Sequence, residues 1–137
     1  MKRILTLMLI MTMAISAIAC GKKETAEYET TVYEDGDIIG EGERSFELTI
    51  VDAEGKEITV EVHTDKDIVG EALTDTGILA GENGPYGLYI KTVNGDTFDY
   101  EKDGKYWAFY INGEYGMTGV DKTDIVETDT YTLKVEE

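Results

Sequence analysis

Few side chains in this sequence are equipped for chemistry, and their spacing decides most of what they can do. His63 is the only histidine and Cys20 the only cysteine. A hydrolytic triad needs a nucleophile, a base, and an acid that orients the base. After Cys20 the one serine is Ser45. Alternation of Ile58, Val60 and Val62 with Thr59, Glu61 and His63 puts the histidine on the polar side of a strand. The inventory therefore argues against an enzyme. Metal sites fare no better. Asp35-Gly36-Asp37-Ile38-Ile39-Gly40 matches a calcium loop at its first, third and sixth positions, but Ile39 fills the fifth and Phe46 the twelfth. Asp121-Lys122-Thr123-Asp124 fails in the same way, and soft ligands for zinc are lacking. With 29 acidic residues, chance carboxylate pairs are common, so no glycosidase pair is assigned. The glycine-rich run Gly81–Gly87 lacks the Lys-Ser/Thr of a phosphate loop. No metal and no cofactor are expected.

Aromatic residues are the stronger signal. Tyr106-Trp107-Ala108-Phe109-Tyr110-Ile111 reads as a strand. Tyr106, Ala108 and Tyr110 share one face, while Trp107, Phe109 and Ile111 share the other. One face belongs to the core. The other is free to form an aromatic shelf for a ring or a sugar, and the sequence leaves open which side Trp107 serves.

Cys20 closes a different pattern. Met1-Lys2-Arg3 is a positive start, Ile4–Ile18 is uncharged and mostly apolar, and the small residues Ala17 and Ala19 lead to the cysteine. The run falls short of the ~20 apolar residues of a membrane span. It reads as a bacterial lipoprotein signal, residues 1–20, with Cys20 the lipidated first residue of the mature protein. Two acyl chains anchor stably where one is marginal. The expected location is the extracytoplasmic face of the bacterial cell membrane, reached through the lipid anchor alone. The formal charge of −17 argues against nucleic acid, which needs a basic face, and against adhesion to anionic lipid.

Behind the signal, residues 21–44 hold eight acidic and three basic residues with few aliphatics. This composition predicts an acidic tether, spanning roughly 25–30 Å as a flexible chain. The folded domain is expected over residues 45–137. Phe46, Leu48 and Ile50 mark one strand, and Ile58, Val60 and Val62 the next, joined by the turn Asp52–Gly55. A helix with Thr64 as N-cap and Gly77 as stop buries Ile68, Val69, Ala72, Leu73 and Thr76. Strands follow at Leu88–Val93, Tyr106–Ile111 and Thr130–Val135, with a helical turn near Asp121–Val126. The order predicts an α+β fold, a β-grasp-like mixed sheet with one packed helix.

Gly84-Pro85-Tyr86, Ile90…Val93-Asn94-Gly95, Tyr106-Trp107, Ile111-Asn112-Gly113, Gly119-Val120 and Asp129-Thr130-Tyr131 resemble the transcobalamin-like C-terminal domain family. Asp67–Leu73 is similar to that family's helix. The family includes the small β-domain of cobalamin carriers and many bacterial surface domains. The resemblance implies a loop after the helix and an aromatic strand that face a ligand. The matching positions are Gly84, Pro85, Tyr86 and Trp107, with Asn83 and Phe109 as neighbours. It implies a membrane-anchored extracellular binding module that recognises a corrinoid, another tetrapyrrole or a similarly flat, largely apolar ligand. The carriers' helical barrel, which makes most of their ligand contacts, is missing from this sequence. The alternative is a protein-interaction or structural module, with a surface or transporter protein as partner.

Overall fold

The computed structural model describes residues 28–137. Cys20, the signal and residues 21–27 lie outside the described residues. Strand β1 spans Ile38–Gly40, β2 Arg44–Val51 and β3 Glu57–Thr64. Helix α1 spans Val69–Thr76, and β4 (Leu79–Gly84), β5 (Gly87–Val93) and β6 (Asp96–Thr97) follow. A short helix α2 (Tyr100–Asp103) precedes β7 (Tyr106–Ile111) and β8 (Glu114–Tyr115). A 3-10 turn at Val120–Lys122 leads to β9 (Thr130–Glu136).

The fold is α+β, as the order of elements predicts. A six-stranded mixed sheet runs β1-β3-β2-β9-β7-β8. Its centre is the parallel pair β2–β9, flanked by the antiparallel hairpins β2–β3 and β7–β8, which is the β-grasp-like arrangement. The register explains which residues are inside. Phe46, Leu48 and Ile50 lie opposite Val62, Val60 and Ile58, and Leu48 and Ile50 lie opposite Tyr131 and Leu133. With a side-chain period of two, these apolar residues share one face, and α1 covers it with Val69, Ala72 and Leu73.

Three sequence expectations are corrected. The single sheet becomes two, because β4, β5 and β6 form a separate three-stranded sheet. The glycine-rich segment thus supplies most of β4 and the tip of a hairpin rather than a loop. The helix starts later than Thr64 implies. Ile68 is its N-cap and has no side-chain hydrogen bond, while the Val69 N–H donates to the Thr123 carbonyl at 2.9 Å. A neighbouring backbone does the work that local capping does elsewhere. The Thr64 hydroxyl instead accepts from the Lys66 N–H at 2.9 Å. Gly77 does end the helix, in the left-handed conformation at φ 81°.

The third correction concerns the tether. Residues 28–44 lie against the domain rather than apart from it. The Thr31 N–H donates to the Gly77 carbonyl at 2.7 Å, and the Tyr33 hydroxyl donates to the Thr76 carbonyl at 2.6 Å. The Asn94 side chain accepts from the Tyr33 N–H at 2.7 Å and donates to the Tyr33 carbonyl at 3.1 Å. β1 then joins β3 in parallel and buries Ile39. Net charge conceals this because the attachment runs through backbone groups, the side chains of Thr30 and Asp35, and two apolar side chains, Tyr33 and Ile39, of an otherwise acidic segment.

Candidate functional site

The second face of β7 settles the place of the aromatic strand. Trp107 and Phe109 lie opposite Val135 and Leu133, so they point to the core side of the sheet. Both are largely buried, at 5% and 7% exposure. Phe109 stacks on Tyr131 with ring centroids 6.0 Å apart and planes 6° apart, and Phe98 meets Trp107 edge-on at 5.8 Å. The Trp107 Nε1 donates to the Asp96 carbonyl at 3.1 Å, which satisfies its polar end. An aromatic shelf made of exposed Trp107 and Phe109 faces is therefore not present. What these residues form is the floor of a groove.

That groove, about 450 Å³, is walled by four parts of the chain. β5 supplies Leu88, Tyr89 and Ile90, and α2 supplies Tyr100. β7 supplies Tyr106 together with Trp107 and Phe109, and the segment after β7 supplies Tyr115, Met117 and Thr118. Each wall has a local cause. Asn94-Gly95 and Asn112-Gly113 take positive φ at both positions (49° and 92°, then 52° and 85°), the geometry of tight two-residue hairpins. These turns fold β6 onto β5 and β8 onto β7, and the second brings Tyr115 opposite Tyr110. α2 is capped by Asp99, whose carboxylate accepts from the Glu101 N–H at 2.9 Å, and this fixes Tyr100 near Tyr106. Tyr100 and Tyr106 meet edge-on at 6.0 Å, and Tyr110 and Tyr115 at 5.5 Å.

The groove is uncharged. No Asp, Glu, Lys, Arg or His is among its lining residues, and its polar groups are tyrosine and threonine hydroxyls and backbone. One charge beside it is held in an ion-pair cluster. The Lys91 ammonium lies 3.2 Å from Asp99 and 3.7 Å from Glu82, and 4.3 Å from the Tyr89 ring centre. Burial alone would lower the Lys91 pKa, but the hydrogen bond and the charge of Asp99, with Glu82, outweigh it and hold the ammonium above its ordinary value. The same hydrogen bond, aided by the Glu101 N–H, holds Asp99 below the usual carboxylate range. Tyr106 is pushed up by its hydrogen bond with Tyr115 and by burial. Tyr110 is pushed up to about 12 by its hydrogen bond to the Glu136 carboxylate and by burial.

The other residues singled out from sequence go elsewhere. Asn83 opens onto a second cavity, about 770 Å³, between α1 and β4. Gly84, Pro85 and Tyr86 form the tip of the β4–β5 hairpin and line neither cavity. Tyr86 is 97% exposed. Leu88 borders both cavities, so this hairpin is the partition between them. The second cavity is charged, with Glu71, Asp75, Asp121 and Lys66 on its walls. The Oδ1 atom of Asp121 is buried there without a hydrogen-bond partner. Among the described residues no group of three or more His, Cys, Asp or Glu side chains is placed to hold a metal ion. Tyr89, Tyr100, Tyr115 and Met117 were not distinguishable in the sequence. They come from separate elements, and only the two Asn-Gly hairpins and α2 bring them together.

A small α+β domain with an uncharged, aromatic-walled groove has the form of a binding module. A family model described as a domain of unknown function, DUF4430, matches residues 66–137, more than half of the sequence, and the chain belongs to that family. A solved protein from Ruminococcus gnavus ATCC 29149, provisionally described as metal binding, is similar at 30% identity and a TM-score of 0.65, covering 69% of this chain and 98% of its own. Haptocorrin in complex with Cbi is similar in fold at 14% identity and a TM-score of 0.51, covering 68% of this chain and 25% of haptocorrin. No curated protein matches the sequence.

Proposed function

We propose that this protein is a non-catalytic binding module of the transcobalamin-like kind. It is held at the extracytoplasmic face of the bacterial membrane by a lipidated Cys20, and it takes a flat, largely apolar ligand, a corrinoid or related tetrapyrrole. The observation that carries the reading is the groove between β5 and β7, uncharged and walled by tyrosines, with a volume typical of small-molecule sites. The likeness in fold to haptocorrin, solved in complex with Cbi, supports the ligand class. The metal description of the bacterial relative finds no comparable donor set among the described residues.

Trp107 is the only tryptophan and lies in the groove floor, so its fluorescence reports this one site. Saturable quenching on titration with dicyanocobinamide, corrected for inner-filter absorption, is the expected result. No saturable change, together with no shift in melting temperature, would overturn the ligand. Recovery of one specific surface protein by the unresponsive domain would then favour a protein-interaction role. For the anchor, Cys20→Ala should move the protein from the membrane fraction to the soluble fraction. Retention in the membrane would count against lipidation.

A further inference from the structure

We infer that the groove selects by charge, accepting a macrocycle with a neutral rim and rejecting the same macrocycle when its rim carries carboxylates. The inference deepens the binding reading above and rests on it. An anionic ligand needs a cation or a set of aimed N–H donors where it is buried, since a carboxylate taken out of water without a partner is costly. The groove offers no such cation, because none of its lining residues is charged. The Lys91 ammonium, on β5, is only 12% exposed and is committed to Asp99 and Glu82, and Lys102 and Lys122, which follow the lining residues Tyr100 and Val120 in the chain, do not line the groove themselves. Lys105, beside the Tyr106 end of β7, is paired with Glu137 at 3.6 Å. The sole histidine, His63, is on β3 and bonded to Glu61 at 2.6 Å, with β2 and β9 separating it from β7. Two hydroxyls at or beside the groove are committed as well: Thr118 is bonded to Thr123 at 2.9 Å, and Tyr110 donates to Glu136. Beyond the groove, a formal charge of −17 opposes the approach of any polyanion.

A neutral rim meets none of these penalties. Amide N–H groups can donate to the Thr118 hydroxyl oxygen, whose own proton goes to Thr123 at 2.9 Å, and amides can pair with backbone at the groove edge. The ring face can lie on Tyr89, Tyr100 and Tyr115, which are 38%, 54% and 56% exposed. Exclusion thus works by leaving the wrong ligand's charges unpartnered.

The test uses two dicyano corrin rings that differ in their rim side chains. Dicyanocobinamide carries neutral amides, and dicyanocobyrinic acid carries carboxylates. Both are titrated against the full chain with Trp107 fluorescence as readout. At about pH 7 the carboxylate ring should bind at least about tenfold more weakly than the amide ring. Met117→Lys, at a groove position that is 95% exposed, should narrow that gap by placing a cation at the rim. Equal or tighter binding of the carboxylate ring to the wild-type chain would overturn the charge selection while leaving the binding site intact. Saturable binding of neither ring would overturn the ligand reading itself.

Discussion

The Trp107 indole N–H donates to the Asp96 carbonyl at 3.1 Å, and through this bond the six-stranded sheet holds the turn of the smaller sheet. The groove depends on that attachment, because β5 forms one wall and β7 the floor and another wall. Trp107→Phe keeps an aromatic ring but loses the donor and part of the buried volume. We expect a loss of about 1–2 kcal/mol in stability. Urea unfolding followed by far-ultraviolet circular dichroism measures it, and an unchanged midpoint would show that the two sheets dock without this bond.

Tyr110 makes stability depend on alkaline pH. Its hydrogen bond to Glu136 and its burial raise the phenol from 10.0 to about 12 in the folded protein. The folded state therefore holds this proton more tightly than the unfolded state. The contribution is complete below pH 10 and is lost as pH rises through about 12. Tyr110→Phe should remove this part of the alkaline loss. Phenolate absorbance at high pH should also show one fewer late-titrating tyrosine in the variant. Identical pH–stability curves for the two proteins would contradict the assignment.

Asn94 serves two purposes at one position. It takes a left-handed φ of 49° in the β5–β6 turn and clasps Tyr33 through both its side-chain oxygen and nitrogen. Asn94→Ala loses both hydrogen bonds and strains the turn, at a cost of about 2–3 kcal/mol. Amide exchange should accelerate first at Tyr33, because its N–H loses its acceptor. Asn94→Gly should recover the turn but leave that amide fast.

Gly81 lies where β4 crowds β5. A Cβ there would come 2.1 Å from the Tyr89 carbonyl oxygen, closer than any side chain tolerates. The β4–β5 register also shifts between Ala80 and Gly81. Gly81→Ala should push the hairpin apart at a cost of about 2 kcal/mol, with faster exchange confined to β4 and β5. Because Tyr89 is a groove wall, ligand affinity should fall in the same variant. A fully stable variant would mean that the bulge absorbs the methyl group.

Much of the fold was legible in the chain. Period-two alternation marks β2 and β3, because a half-buried strand must sort its side chains by polarity. The Val69, Ala72 and Leu73 stripe marks α1 for the same reason at helical spacing. Gly77, Asn94-Gly95 and Asn112-Gly113 mark the ends of elements because few residues adopt left-handed backbone. Local sequence points to Thr64 as the N-cap because the partner that caps Val69, Thr123, is 54 positions away in the chain and leaves no trace there. Composition predicts a tether for residues 28–44 because it reports their polar surface, while their attachments are made by backbone and by the side chains of Thr30, Tyr33 and Asp35.

The candidate site divides in the same way. Residue types alone show one histidine, His63, and one serine after Cys20, Ser45, which the β2–β3 register sets opposite each other, and they show that aromatic residues cluster near β7. They also bounded the charge that any ligand must tolerate. Tertiary structure decided that Trp107 and Phe109 form a floor rather than a shelf, that Asn83 opens onto a different cavity, and that Tyr86 stands clear of both. The walls, Tyr89, Tyr100 and Tyr115, belong to three elements whose meeting depends on strand pairing. A sequence fixes side-chain chemistry and local backbone preference. Which side chains converge is set by long-range register, where a shift of one residue turns every side chain to the opposite face.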